Sequence, residues 1–261
     1  MKEALYNKLG GKTIAIDGKS IRSTSKFKET DRKSALHIAS AYVSELKMVI
    51  GSKECITKTG EITAFRELIE MLDIEGCMIV ADALHCKKES AKAVIKAKAD
   101  YLLVVKKNEP KLKESIDNHI KNENTYKESK LEKNSGRIEK RTAYVCYEIE
   151  DIYNKDKWQN ISMIGAIHKE CTKNGKITSE WHYYISSKKL STKELLSYAR
   201  NEWAVEAMHW LLDVHYGEDK TRVWDANLQK NLNLLRKITK QNLFDLSNLI
   251  TFLQVLQEKS N

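Results

Sequence analysis

Three acidic side chains stand where they could bind metal ions together. Asp17 follows the short apolar run TIAI, and Asp82 follows the apolar run CMIVA. Glu206 lies in a late stretch whose apolar residues recur at helical spacing. Two hard divalent cations need oxygen ligands that converge from several elements, as in two-metal phosphoryl-transfer sites. The three carboxylates therefore indicate a candidate metal site, although capping or surface roles remain open for each one.

The late stretch, residues 201–222, offers more than one carboxylate. Glu202, Glu206 and Asp213 fall together on one side of the predicted helix, where they repel one another unless cations stand nearby. The group is either the solvated edge of an amphipathic helix or part of a metal site. The helical spacing predicts that the adjacent face packs on the core, with the tryptophans as its main anchors and base stacking as the alternative. That face contains Trp203, Ala207, Trp210, Leu211 and Val214.

The first half of the chain contains the elements that must position the two aspartates. Short apolar or β-prone runs predict strands, and two of them, joined at Ser44-Glu45, predict an antiparallel hairpin. Apolar residues at helical spacing predict helices between the later strands. The order implies a mixed α/β sheet covered by helices. The predicted strands are 13–16, 35–43, 46–56, 77–81 and 101–105, and the predicted helices are 63–72 and 90–98.

The second half begins with a charged helix predicted from Pro110 to Tyr126 and continues with three β-rich runs, RTAYVCYEI, ISMIGAIH and EWHYYISS. Asn174-Gly175 lies between the last two runs and is a hairpin signal. This block is interpreted as a small β insertion. Helices are predicted over 192–216 and 227–257.

Composition narrows the class of protein. The 45 basic and 36 acidic residues give a net charge of +9, which favours polyanionic partners. Five cysteines without a CxxC pair or a secretory signal indicate reduced thiols, so we expect a cytoplasmic protein. No apolar run approaches the roughly 20 residues that cross a bilayer.

Six fragments, taken in order, resemble the bacterial insertion-sequence transposases of the H-repeat-associated group, and the resemblance extends from about Thr13 to the leucine-rich end. It implies an RNase H-like fold with a β insertion before the last catalytic helix. The implied division is 1–128 and 191–261 for the two parts of the catalytic core and 129–190 for the insertion. The fragments are IAIDGKSIR, IVADALHCKK, ADYLLVVKKNEP, SGRIEKR, YYISS and NEWAVEAMHWLLDVHYGEDKTR.

In that family the resemblance implies a DDE triad, here Asp17, Asp82 and Glu206, which binds two Mg²⁺ or Mn²⁺ ions. The implied chemistry is nicking of DNA at the transposon end and attack of the freed 3′ hydroxyl on target DNA. A homodimer on DNA is a further expectation. Cations near the carboxylates are candidate phosphate contacts, with solvated surface roles equally open. They are Lys19, Arg22, Lys106, Lys107, Arg137 and Arg141.

Three other residues near the triad could do chemistry. His85 could be a ligand or a proton shuttle, but hard cations prefer oxygen, so we interpret it as a loop histidine. His209, three residues after Glu206, is expected to pack or to contact DNA. Cys86 has no identifiable histidine and acid pair that would make it a nucleophile.

Two other functions stay open at this point. One is a catalytically silent, DNA-binding remnant, and the other is an RNase H-like nuclease of different specificity. Members of the resembled family usually carry a helical region before the first catalytic strand. We therefore expect this chain to be a truncated copy or a fragment.

Overall fold

The structure is a computed structural model, and it describes residues 9–22, 35–55, 58–122, 125–134, 137–221, 223, 225 and 227–241. The described strands are β1 (Thr13–Ile21), β2 (Leu36–Val43), β3 (Met48–Cys55), β4 (Met78–Ala81), β5 (Asp100–Val105), β6 (Tyr126–Asn134), β7 (Arg137–Cys146), β8 (Met163–Lys173) and β9 (Lys176–Ser186). The described helices are α1 (Lys58–Met71), α2 (Lys88–Lys96), α3 (Pro110–Asn122), α4 (Thr192–Val214) and α5 (227–241).

All nine strands join one sheet in the order β3-β2-β1-β4-β5-β9-β8-β7-β6. The central strands β1, β4 and β5 run parallel, because the connections from β1 to β4 and from β4 to β5 both contain a helix. The other neighbours pair antiparallel. The predicted mixed sheet and the predicted β2–β3 hairpin are therefore confirmed.

Helices cover both faces of this sheet. Side chains of α1, α2 and α3 pack with Ile14 and Ile16 of β1 in one core. Side chains of α4 pack with Ala15 of β1 in a second core. Because successive strand residues point to opposite faces, Asp17 lies on the α4 face and Gly18 on the α1 face.

Strand β1 is longer than its apolar run predicts. The sequence places Asp17 at the end of the strand, but β1 continues to Ile21. Its parallel pairing with β4 has its last register pair at Ile16–Ala81, while its antiparallel pairing with β2 continues to Ile21–Leu36. Cross-strand pairing thus extends β1 through polar residues that carry no strand signal of their own.

The predicted β insertion contributes four strands to the central sheet, not three. Strand β9 pairs with β5, from Leu102–Ser186 to Val105–Tyr183, and so continues the core sheet. Strand β6 is the missed one, since its sequence YKESKLEKN lacks apolar alternation. Charged residues are typical of an edge strand, where they oppose pairing with other chains. The division at 129 and 190 stays a prediction.

The Asn-Gly signal identifies the β8–β9 hairpin correctly. Asn174 and Gly175 both have positive φ, at 50° and 74°. Such angles at both central residues match the right-handed twist of the flanking strands. The turn therefore fixes the register of the two strands.

The buried face of α4 differs from the predicted one. Trp203 and Trp210 are 37% and 57% exposed, so the prediction that they anchor the helix in the core is wrong. Apolar residues occur around most of this helix, so several faces satisfy the helical spacing and only packing against the sheet selects one. The residues that pack are Leu195, Ala199, Val205, Met208 and Leu212.

The other helices match the sequence closely. The predicted segments 63–72, 90–98 and 192–216 correspond to α1, α2 and α4. The charged helix α3 ends at Asn122, before the predicted Tyr126. The last predicted helix is seen over 227–241, and its remainder, like residues 1–8, lies outside the described residues.

Two expectations from composition also meet the structure. All five cysteines are free thiols. Within the described ranges, no helix is long and apolar enough to cross a membrane. The compartment stays a prediction.

Candidate active site

The two aspartates come from neighbouring parallel strands. Ile16 of β1 is paired with Ala81, the last residue of β4. Asp17 is the next residue of β1, and Asp82 directly follows β4. Adjacent strands lie about 4.8 Å apart, so the backbones of the two aspartates are neighbours at the carboxyl end of this pair. This edge of a parallel sheet is where ligand sites of open α/β folds form.

The turn after β4 holds Asp82 in place. The Leu84 backbone N–H donates to Asp82 Oδ1 at 2.9 Å. Asn108, in the loop after β5, donates from Nδ2 to the Ala83 carbonyl at 2.7 Å. This hydrogen bond joins the loop after β5 to the loop after β4, next to the Asp82 carboxylate.

Helix α4 brings two glutamates to the same region. The helix begins at Ser191 with a capping box, in which Ser191 and Glu194 satisfy each other's backbone N–H groups. Glu202 and Glu206 follow one turn apart. Glu206 is exposed, whereas Glu202 is only partly accessible.

The pKa of Glu202 shows that these carboxylates share one field. Burial raises the pKa of Glu202 to about 8, with Lys106 opposing the shift and Asp82, Glu206 and Asp17 adding to it. Asp17, Asp82 and Glu206 therefore all lie near enough to act on the charge of Glu202, and we call these four side chains the carboxylate cluster. Deprotonation of Glu202 increases the repulsion among these carboxylates, whereas a bound cation decreases it.

A buried histidine lies against the cluster. His209 Nδ1 is 3.4 Å from Asp17 Oδ2, and the side chain is nearly inaccessible. Its Nε2 is buried and makes no hydrogen bond in the described part of the chain. The expectation that His209 packs is confirmed, and the structure adds its proximity to Asp17.

The donor set suits hard divalent cations, because it consists of carboxylate oxygens that repel one another. Among the described residues, no three His, Cys, Asp or Glu side chains are grouped closely enough to enclose a metal ion. Mg²⁺ sites in phosphoryl-transfer enzymes typically take one or two carboxylates and complete the shell with water and substrate phosphates. The cluster fits that kind of open site.

The predicted phosphate-binding cations fall into two groups. Arg22, Lys106, Lys107 and Arg137 are exposed, although Arg22 also pairs with Asp219 and Arg137 with Glu139. Lys19 instead forms ion pairs with Asp213 and, at 2.6 Å, with the buried Glu218.

Arg141, the remaining predicted cation, is largely buried and pairs with Glu139. It also lies over the Trp203 ring, 5.4 Å from the centroid, and Lys169 lies 5.0 Å from the same centroid. Lys19 and Arg141 therefore bind partners within the protein. For all six cations, contact with phosphate stays a prediction.

Sequence reasoning left Glu202 as a neighbour of the triad and interpreted His85 as a loop histidine. Glu202 lies among the three carboxylates, and its spacing of four residues from Glu206 was the available signal. His85 lies in the turn after β4, as its interpretation as a loop histidine implies, but it is fully buried. Its burial depends on helix α1, which comes from a distant part of the sequence.

Comparisons with known proteins show which family this chain belongs to. Residues 8–239 match the family described as "Transposase DDE domain". The chain is 33% identical over 245 residues to "Putative transposase YncI" of Escherichia coli O157:H7, covering 90% of this chain and 62% of that protein. It is 32% identical over 238 residues to "H repeat-associated putative transposase YhhI" of Escherichia coli (strain K12), covering 86% and 62%. The chain thus spans 62% of the length of these relatives.

A solved structure shares the fold. It is the piggyBac transposase in a synaptic complex with hairpin DNA, with a TM-score of 0.51 at 13% identity, over 87% of this chain and 45% of that one. The RNase H-like fold predicted for the mixed sheet and its helices is confirmed. Since the family match extends over nearly all of the chain, from residue 8 to residue 239, the chain belongs to the bacterial DDE transposases.

Proposed function

We propose that this chain is the catalytic core of a DNA transposase that cleaves strands at insertion-sequence ends and transfers them to target DNA. The observation that carries the proposal is the shared field of Asp17, Asp82 and Glu206 at Glu202, on the edge where β1 and β4 stop pairing. Carboxylates from β1, from the turn after β4 and from α4 near one another support binding of two divalent cations.

Each residue of the triad has a distinct position in this proposal. Asp17, which lies near Asp82 after β4 and His209 of α4, would be one of the residues that hold the ions. Asp82 is oriented by the Leu84 N–H, and Glu206 is presented from the exposed side of α4. When bound, Mg²⁺ or Mn²⁺ would activate the attacking oxygen and stabilise the leaving one.

DNA is the proposed partner. The exposed Lys106 and Lys107 follow β5, next to the turn that holds Asp82, and Lys106 acts on the charge of Glu202. Cations beside a carboxylate cluster can position the phosphates of a polyanion. Arg22 and Arg137 extend the proposed contact surface, and Lys19 and Arg141 would support it through their ion pairs. Two transposon ends must be held together, so we further propose a homodimer on DNA.

The test is a nicking assay with Mn²⁺ on plasmid that carries the DNA flanking the gene. Asp17→Asn, Asp82→Asn and Glu206→Gln should each reduce nicking more than about 100-fold, since even residues that only support a metal ligand typically contribute 10–100-fold. The matched control is Asp151→Asn, which removes an exposed carboxylate elsewhere and should nick like the wild type. Nicking that survives Asp82→Asn would refute the assignment.

The same assay separates the two alternative functions. A silent remnant would bind DNA in a salt-sensitive manner and cut no substrate with Mn²⁺. A nuclease of other specificity would cut an RNA–DNA hybrid or branched DNA in preference to transposon ends. Preferential cutting at the flanking ends supports the transposase.

A further inference from the structure

A buried carboxylate lies beneath the proposed site, on the opposite face of the sheet. Glu61, in the first turn of α1, accepts hydrogen bonds at Oε2 from His37 Nε2 (2.7 Å) and at Oε1 from His85 Nε2 (3.2 Å). All three side chains are buried. Burial raises the pKa of Glu61, but the hydrogen bonds from the two histidines outweigh it and hold that pKa at about 2.

Both imidazoles are held in place by further contacts. His37 Nδ1 lies 2.8 Å from Ser20 Oγ on β1. The His85 ring stacks on Phe65, one turn after Glu61 in α1, with centroids 4.6 Å apart. With Nε2 of each ring donating to Glu61, the hydroxyl of Ser20 can donate to His37 Nδ1. The carboxylate and both rings thus form one ordered unit.

This unit requires a glycine in β1. A Cβ atom on Gly18 would lie 2.5 Å from Glu61 Cδ and 2.5 Å from His37 Nε2, closer than any ordinary contact. Gly18 directly follows Asp17. The Glu61–His37 pair therefore lies against the backbone that carries the first aspartate of the site.

The ordered unit of Glu61, His37 and His85, which we call the bridge, also contacts the segment that carries the second aspartate, Asp82. His37 lies on β2, and His85 ends the short turn that begins at Asp82, where its backbone N–H donates to the Asp82 carbonyl at 3.1 Å. In the sheet, β1 lies between β2 and β4. Glu61 lies against β1 at Gly18 and connects its two neighbours through hydrogen bonds to His37 on β2 and to His85 after β4. The two aspartate-bearing segments are thus tied to a single carboxylate.

We propose that Glu61 is a positioning residue of the carboxylate site: by joining His37 and His85 behind Gly18, it fixes Asp17 relative to Asp82. This inference rests on the proposed function. Hydrogen bonds beyond the ligands that orient a metal site typically change metal affinity or activity 10–100-fold. Glu61 touches neither substrate nor cation, so its effect acts through the placement of the aspartates.

The experiment measures Mn²⁺ binding directly, by calorimetric titration without DNA, for wild type, Glu61→Gln and His85→Gln. A glutamine has one side-chain oxygen and one NH₂ donor, so it can replace only one of the two carboxylate acceptors and disrupts the bridge at nearly constant volume. The expected result is a Kd for Mn²⁺ weakened about 10–100-fold. The nicking rate should also recover towards the wild-type value as Mn²⁺ is raised. Glu67→Gln, on the same helix but half-exposed, is the matched control and should bind like the wild type.

The outcomes separate this inference from the proposed function. A folded Glu61→Gln protein with wild-type Mn²⁺ affinity would overturn the positioning role and leave the function intact. Unchanged Mn²⁺ binding by Asp17→Asn would instead overturn the ligand assignment on which both depend. If Glu61→Gln does not fold, His85→Gln decides, because it removes only the longer hydrogen bond. Weakened Mn²⁺ binding then supports the bridge, and wild-type binding refutes it.

Discussion

At the scale of single residues, Glu202 and Glu206 are both candidate metal ligands, and they lie one turn apart on α4. Both side chains lie on the same side of the helix, and Glu206 is the exposed one. Glu202 lies deeper, where burial and three neighbouring carboxylates disfavour its charge. A buried, protonated Glu202 beside an exposed Glu206 suits Glu206 as the ligand that meets a cation arriving with substrate.

The raised pKa of Glu202 predicts a pH-dependent stability difference. The folded protein binds a proton at Glu202 up to about pH 8, whereas the unfolded chain releases it near 4.5, the ordinary pKa of a glutamate. The folded state therefore loses stability through Glu202 as pH rises from about 4.5 to 8. Glu202→Gln should raise the unfolding midpoint over wild type at about pH 8 by more than ~2 °C, which corresponds to roughly 1 kcal/mol in a chain of this size.

Thermal unfolding of both proteins across this pH window checks the prediction. The difference between variant and wild type should shrink as the pH falls below about 4.5, where the carboxyl is protonated in the unfolded chain as well as in the folded protein. A difference that is constant with pH would show that Glu202 does not titrate as its surroundings imply.

At the scale of elements, α5 packs through polar residues. Gln229, Asn233 and Lys237 recur every fourth residue and are buried. Lys237 Nζ donates to Ser40 Oγ on β2 and to Ser52 Oγ on β3, both at 2.9 Å, and Ser40 is the register partner of Asp17. On the same helix, four large apolar side chains are 46–57% exposed: Leu228, Leu234, Leu235 and Ile238.

Burial lowers the pKa of Lys237 to about 8, against an unfolded value of 10.5, with Glu218 opposing the shift and Lys19 adding to it. Between these values the unfolded chain binds more protons, so the wild type gains stability through Lys237 as pH rises from about 8 to 10.5. Lys237→Met lacks this gain. Its unfolding midpoint should fall relative to wild type between about pH 7.5 and pH 9.5.

Lys230→Met is the control for that measurement, since Lys230 lies on the same helix and pairs at the surface with Glu54. Its offset from wild type should hardly change over the same pH range. An equal pH-dependent change of the unfolding midpoint in both variants would show that titration of Lys237 is not its cause.

At the scale of the whole molecule, carboxylates are concentrated at the site and basic side chains lie at its border. The chain carries +9 overall, yet the edge of the sheet after β1 and β4 gathers four carboxylates. A polyanion can approach such a site only through cations at its border or with cations of its own. Lys106 and Lys107 are the exposed border residues on the loop after β5.

DNA affinity should therefore depend steeply on salt, and the double change Lys106→Glu and Lys107→Glu should reduce the slope of log K against log [salt] by about 2, at roughly 0.9 per lost phosphate contact. The check is fluorescence anisotropy of labelled duplex DNA over a salt series. Lys92→Glu with Lys96→Glu makes the same charge change on exposed residues of α2, on the opposite face of the sheet. An equal loss of slope in both double variants would show non-specific attraction without a contact at Lys106 or Lys107.

Predictions that depend only on residues close together in the sequence are confirmed. Apolar runs predicted the central strands, the Asn-Gly pair predicted the β8–β9 turn, and the order of elements predicted a mixed sheet. Predictions were wrong where pairing with another segment determines the secondary structure. Strand β1 continues beyond Asp17 because β2 pairs with it, and β6 is a strand because it pairs with β7. The placement of Asp17, Asp82 and Glu206 as metal ligands stays a prediction, and the structure brings them into one field.

The sequence by itself determined which carboxylates were candidates, since Asp82 directly follows a strand and six ordered motifs indicated the family. Only the tertiary structure decided the rotation of α4, which exposes Trp203 and turns Glu202 towards Asp17 and Asp82. It likewise decided the burial of His85 on Glu61, which joins residues 24 positions apart. The physical reason is that periodicity fixes the spacing of side chains on one element, whereas the face that is buried depends on the packing of all elements together.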